Sequence, residues 1–133
     1  MTYLHEAQRT FPLSIAAPRA ARRWLHASGV VPPALLDAVD LVVSELVTNS
    51  VTHSGLAEPD VVSVRVASFP GGVTGEVIDE GRGMGDDPPR TAPSMGLRLV
   101  EGTVSRWGHT DHPTRVWFEL TVRQTPRWHR PAA

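Results

Sequence analysis

The sequence predicts an α+β domain in which a mostly antiparallel, mixed sheet is covered on one face by helices. Three observations carry this expectation. Residues 35–55 repeat apolar side chains at a helical period, and two later segments, 60–69 and 114–122, alternate apolar and polar residues at a period of two. The elements also fall in the order strand, helix, helix, strand, strand, loop, helix, strand, strand, which suits one layer of helices on one sheet. The 133 residues fit a single domain, 1–133, with no internal repeat or linker. A chain of this length buries about two thirds of its unfolded surface.

Taken in order, Arg9 to Ile15 alternates weakly around Phe11, Leu13 and Ile15 and reads as an edge strand, because Pro12 has no N–H for a ladder. Pro18 suits a first helical turn and Gly29 a C-terminal cap, so 18–28 is a short helix with Arg19, Arg22 and Arg23 outward and Trp24 and Leu25 inward. Pro32 and Pro33 start the long helix and Gly55 ends it. From Asp60 to Phe69 the valines alternate with Ser63, Arg65 and Ala67. Pro70-Gly71-Gly72 then turns the chain into an antiparallel partner from Val73 to Asp79. Residues 80–95 lack periodicity and are rich in Gly and Pro, and a loop that long in a compact domain is usually functional. A short helix from Gly96 to Thr103 follows. A hairpin of Val104 to Thr110 and Thr114 to Val122 closes the core, about residues 9–122, ahead of a frayed tail over 123–133.

The long helix organises the rest. At roughly 100° per residue, Leu35, Leu36, Val39, Val42, Val43, Leu46, Val47 and Val51 cover half its circumference and face a core. Asp37, Asp40, Ser44, Thr48 and Thr52 lie opposite. Glu45, Asn49 and His53 fall on the edge between the two zones, one turn apart, where a helix wall meets a cavity. A carboxylate and an amide oxygen stacked there can hold a hard cation and orient a nucleophile.

Composition removes several alternatives. Net charge is -1, with 13 basic and 14 acidic residues interspersed, so there is no basic face for a nucleic acid. All 13 basic residues are arginines; the absence of Lys excludes a Walker phosphate loop and kinases of the Lys-Glu type. With no Cys, disulfides and thiolate metal sites are out, and the six histidines are too scattered for a zinc pattern. No apolar run approaches the ~20 residues of a membrane span and no signal-peptide core is present. The expectation is a soluble, cytoplasmic protein that binds neither membrane nor nucleic acid.

Two further groups complement the helix edge. Asp79-Glu80-Gly81-Arg82-Gly83-Met84-Gly85 follows directly from an apolar strand. Its alternate glycines let backbone pass close to a flat ligand, and Asp79 can accept a hydrogen bond from an exocyclic amine such as that of adenine. The same run is also ordinary turn composition. It is not a dinucleotide fingerprint, because a loop rather than a helix follows. Ser94-Met95-Gly96-Leu97-Arg98 opens the next helix, a ready anion site to which Arg98 can add a forked donor.

These residues resemble a known family. The stretch 45–53, Glu-Leu-Val-Thr-Asn-Ser-Val-Thr-His, is similar to the N box of the GHKL superfamily of ATP-binding domains, which includes gyrase, MutL, heat-shock chaperones and histidine kinases. Asp79 to Gly83 resembles its first glycine box and Met95 to Val100 its second. The domain length, the wording of 42–49 and the ending from Arg106-Trp107-Gly108 to Val116-Trp117-Phe118-Glu119-Leu120 look most like RsbW-type anti-sigma factor serine/threonine kinases. Ser94 stands where members with a full second box have Gly.

The resemblance implies a two-layer Bergerat sandwich that binds ATP and Mg2+. By position, Asn49 joins the magnesium site and Glu45 acts as general base, with His53 a turn beyond. Asp79 reads the adenine amine, Gly81, Gly83 and Gly85 shape the pocket, and Thr114 adds a contact. Residues 86–95 form a lid, and Ser94, Gly96, Leu97 and Arg98 lie at the phosphates. The implied function is phosphorylation of a STAS-type anti-sigma-factor antagonist by a protein that also sequesters a sigma factor, with homodimerisation. A rival expectation from the same pocket is a nucleotide-gated binding module without phosphoryl transfer.

Overall fold

The computed structural model describes residues 2–81 and 95–122. Five strands and three helices follow one another as β1 (His5–Pro12), α1 (Ala17–Ser28), α2 (Pro33–His53), β2 (Val61–Phe69), β3 (Gly72–Asp79), α3 (Met95–Thr103), β4 (Arg106–Thr110) and β5 (Thr114–Thr121). The sheet order is β1-β2-β3-β5-β4. All four pairings are antiparallel, so the described sheet contains none of the parallel pairing that a mixed sheet allows. The α+β, two-layer expectation holds.

Strand alternation separates the two faces of the sheet. Val64, Val77 and Val116 stand in register across β2, β3 and β5, and so do Val66, Gly75 and Phe118. This face is the core, and α2 lies on it with Val39, Val42, Val43, Leu46 and Val47 all buried. Gly75 has a packing reason: a Cβ there would run into the Phe118 ring. The opposite face carries the polar set, with Arg65 paired to Glu6, Arg115 to Glu76 and Arg106 to Glu119. The hydrogen bond that Arg65 Nε donates to Glu6 is the main cause that raises the Arg65 pKa above its ordinary value.

Helix α1 packs beside α2. Ala21 and Leu25 are buried, and Trp24 meets Phe11 edge-on, with ring centroids 5.9 Å apart. Arg19, Arg22 and Arg23 are exposed, as the period predicts. Arg22 Nε donates to both Asp40 carboxylate oxygens at 3.1 and 3.3 Å, which ties the polar side of α1 to that of α2. Gly29 caps α1 in the left-handed conformation with φ 67°.

The first strand departs from its expected bounds. It runs over His5–Pro12 rather than Arg9 to Ile15, because it pairs along β2 from Ser68 down to Val61. As an edge strand it is mostly exposed, so its residues His5 to Thr10 carry no apolar alternation that a sequence pattern could register. Pro12 ends it, Leu13 donates its N–H to the Asp60 carbonyl, and Ile15, expected on the strand, is 94% exposed in the turn that follows. Smaller shifts also occur: α2 begins at Pro33 and closes at His53, β4 begins at Arg106 rather than Val104, and Gly72 belongs to β3. The expected tail at 123–133 lies outside the described residues.

Phe118→Ala should lower stability by about 3–5 kcal/mol, because the ring is fully buried under α2. Gly75→Ala should cost about 1–3 kcal/mol through overpacking against the same ring. In urea unfolding the double variant should be more stable than the sum of the two losses, since removing the ring makes room for the methyl. Additive losses would show that the collision at Gly75 is relieved some other way.

Candidate functional site

One stripe of α2 faces a cavity at the C-terminal end of β3. Leu46, Asn49, Ser50, His53 and Ser54 recur at three- and four-residue steps along it. The cavity encloses about 450 Å³ including its mouth, within the range of roughly 300–1,000 Å³ of small-molecule sites. Val77 and Val116 from the sheet and Leu97 from α3 complete an apolar wall. Such a slot suits a flat, largely apolar ring with polar groups on its edge.

The closed end is built by strand register. Asp79 and Thr114 are directly opposite across β3 and β5, on the face that α2 covers. Asp79 is 5% exposed and Thr114 is 7% exposed. A charge so buried requires hydrogen-bond donors. One is in place: the Gly81 N–H donates to Asp79 Oδ1 at 2.8 Å. Thr114 Oγ1 is buried with no hydrogen-bond partner. An orphaned hydroxyl beside a carboxylate that has room for another donor is the signature of a polar ligand edge.

The end of α2 holds this floor in place. Ser54 caps the helix, donating its N–H to the Ser50 carbonyl at 3.2 Å, and its hydroxyl accepts the Leu56 N–H at 3.1 Å. Gly55, at φ 79°, turns the chain away. Gly81 then packs directly on Ser54. A Cβ at Gly81 would stand 2.6 Å from both Ser54 Cβ and the Ser54 carbonyl oxygen, and 2.7 Å from Asp79 Oδ1. Only glycine allows this approach of loop to helix.

The expected site residues divide into three groups. Asn49, His53, Asp79, Leu97 and Thr114 line the one cavity, and Gly81 supports Asp79 from beside it. Glu45 lies half-buried one turn before Asn49 and is not among the described lining residues; Arg98 is exposed on α3, and Gly96 lies in the first turn of that helix. Gly83, Gly85 and Ser94, and the lid expected over 86–95 except for Met95, lie outside the described residues. The residues that sequence reasoning missed are Leu46, Ser50, Ser54, Val77 and Val116 in the lining. For Ser50 and Ser54 a signal exists, because they continue the four-residue step from Leu46.

No group of three or more His, Asp or Glu side chains able to hold a metal occurs among the described residues. Asn49, an amide oxygen on the cavity wall, nevertheless fits the way Mg2+ is usually bound. That ion keeps several waters and takes one or two protein oxygens together with those of a substrate phosphate.

A slot with an acid and a hydroxyl at its closed end and an amide at its mouth, set between a helical layer and an antiparallel sheet, defines a nucleotide-binding two-layer sandwich. The chain belongs to the histidine kinase-like ATPase domain family, whose profile matches residues 11–121. Among solved structures it is similar to the crystal structure of the RsbU and RsbW domains of Rv1364c from Mycobacterium tuberculosis. The identity is 24% and the TM-score 0.62, over 88% of this chain and 32% of that chain. The likeness is one of fold, and this chain spans about a third of that protein's length. No curated protein matches the sequence.

Gly81→Ala should weaken ATP binding by roughly tenfold and lower the unfolding midpoint as well, because the added methyl meets the Ser54 backbone carbonyl as closely as the Asp79 carboxylate. Calorimetric titration beside a thermal melt reads both effects; unchanged affinity would mean that the loop can shift without moving Asp79.

Proposed function

We propose that this chain is an ATP-binding regulatory serine/threonine kinase of the RsbW type. It would phosphorylate a STAS-type anti-sigma-factor antagonist and sequester a sigma factor. The observation that carries the reading is the closed end of the cavity, where a buried Asp79 carboxylate faces an unpartnered Thr114 hydroxyl. An adenine amine supplies the donor that the carboxylate lacks, and its ring fills the apolar slot between Val77, Val116, Leu46 and Leu97. The triphosphate then leaves toward Asn49 and His53.

Phosphoryl transfer asks for positioning and charge neutralisation more than covalent chemistry. Magnesium held by Asn49 supplies that neutralisation when bound. Glu45, one turn along the same edge, accepts the proton of the attacking hydroxyl. Its half-buried position outside the lining suits a group that meets the partner's side chain rather than the nucleotide. Neither the partner nor the proton transfer is needed for ATP to bind, so the two functions separate by mutation. Among the described residues no helix is long and apolar enough to cross a membrane.

Asp79→Asn should lower ATP affinity by roughly 10- to 100-fold, the loss expected for one charge-assisted hydrogen bond. Asn49→Ala should abolish the dependence of binding on magnesium. Glu45→Ala should keep ATP binding and lose transfer of the γ-phosphate to a Ser or Thr of the antagonist. ATP binding by the wild type without any transfer to a partner would instead assign the pocket to nucleotide-gated binding. A folded wild type that binds no ATP would overturn the reading at its base.

A further inference from the structure

We infer that Asp40 is an internal stand-in for a partner: its carboxylate occupies a carboxylate-binding stripe on the outward face of α1, and an acidic segment of a protein partner displaces it on docking. The inference takes from the reading above only that the chain has a protein partner. It concerns a part of the molecule away from the nucleotide cavity, since Asp40 and Asn49 are nine residues apart and so, at 3.6 residues per turn, leave α2 on opposite sides.

Arg19, Arg22, Arg23 and His26 recur along α1 at three- and four-residue steps and, with Ala27, line one open trough. All four basic side chains are exposed. Against a net charge of -1 for the whole chain this is a local excess of one sign, and such a surface attracts acidic groups. Among the described residues its ion pairs run to Asp40 alone, from Arg22 and His26. Arg19 and Arg23, one turn apart, make no hydrogen bond or ion pair among the described residues.

The Asp40 contact defines both the chemistry of the stripe and its weakness. Arg22 reaches Asp40 through Nε alone, which donates to the two carboxylate oxygens at 3.1 and 3.3 Å, and His26 Nε2 stands 3.4 Å from Oδ2. Charge-assisted bonds are ordinarily about 2.7–2.9 Å, and arginine holds a carboxylate best through two parallel bonds. Arg65 and Glu6, on the far face of the sheet, meet at 2.6 Å. The terminal nitrogens of Arg22 have no acceptor among the described residues, and its side chain is 56% exposed. A carboxylate arriving from solvent can therefore take Arg22 in the forked geometry that Asp40 does not, while Arg19 and Arg23 receive a second acid. From Arg19 to His26 the stripe is about 11 Å long, enough for two acids one helical turn apart and too short for the run of phosphates from which a nucleic acid draws its affinity. Trp24, the aromatic residue of α1, packs inward on Phe11 instead of outward to a bilayer.

The test is fluorescence anisotropy with a labelled hexaglutamate peptide, with an oligothymidylate of equal charge and phosphatidylserine vesicles as rival probes. Asp40→Asn should bind hexaglutamate roughly 2- to 5-fold more tightly than wild type, the range of an exposed ion pair that no longer competes. Asp37→Asn, which removes the same charge from α2 but no ion pair to α1, should leave binding nearly unchanged. The gain should vanish when Arg22→Ala is added to Asp40→Asn, and Arg19→Ala combined with Arg23→Ala should weaken binding in either background. A gain of equal size in Asp37→Asn, a gain that survives Arg22→Ala, or no binding of hexaglutamate by any variant would overturn the inference. Tighter binding of the oligothymidylate or the vesicles than of hexaglutamate by Asp40→Asn would overturn the class of partner. ATP affinity should be equal in wild type and Asp40→Asn. A chain that shows this pattern with hexaglutamate but binds no ATP would remove the kinase reading and leave this one standing. Exposed ion pairs add little stability, so the variants should remain folded.

Discussion

Burial of one half of α2 on the valine rows of the sheet is the interaction on which the rest depends. Val39, Val42, Val43 and Val47 are fully inaccessible, as are Val62, Val64, Val66 and Val73 facing them from β2 and β3. At about 25 cal/mol per Å² of apolar surface, this contact is the main reason the two layers stay together. β-branched side chains are stiff about χ1, so they hold the helix in one rotational setting as well as at one distance. That setting is what aims Asn49, Ser50, His53 and Ser54 at the end of β3.

Function follows from the place where this packing stops. Up to Leu46 and Val77 the interface is closed and apolar. One turn further, Ser50 and Ser54 replace aliphatic residues on α2 while Asp79 and Thr114 replace them on the sheet. The core therefore ends in a polar pocket rather than at the surface. The antiparallel ladder makes this economical, because a single register step sets Asp79 opposite Thr114 at the depth reached by the helix end. Gly81 and Ser54, in contact, keep loop and helix close enough that the Gly81 N–H reaches the carboxylate.

Much of this was legible in the residues. The period of 35–55 defines a helix and its buried half because a continuous apolar stripe admits few alternatives. The turn at Gly71, with φ 94°, follows from glycine's freedom in the left-handed region. The strand β1 was legible only at its apolar end, since the polar residues His5 to Thr10 are held by backbone pairing with β2 and not by their side chains. Of the site, Asn49, His53, Asp79 and Thr114 could be singled out from chemistry and family resemblance. Ser50 and Ser54 were marked only by the four-residue step from Leu46, a weak signal because a hydroxyl in or at the end of a helix is usually occupied by local backbone.

The sequence by itself determined the α+β class, the buried half of α2, the antiparallel hairpins and the family to which the chain belongs. Each of these depends on local period, turn chemistry or a short motif. Only the tertiary structure decided that β3 pairs with β5 rather than with β4, and hence that residues 79 and 114 face each other under residue 50. Pairing between strands so far apart in the chain depends on which side chains fit over one another, as the Phe118 ring does over Gly75, and that complementarity is not written in the period of either strand.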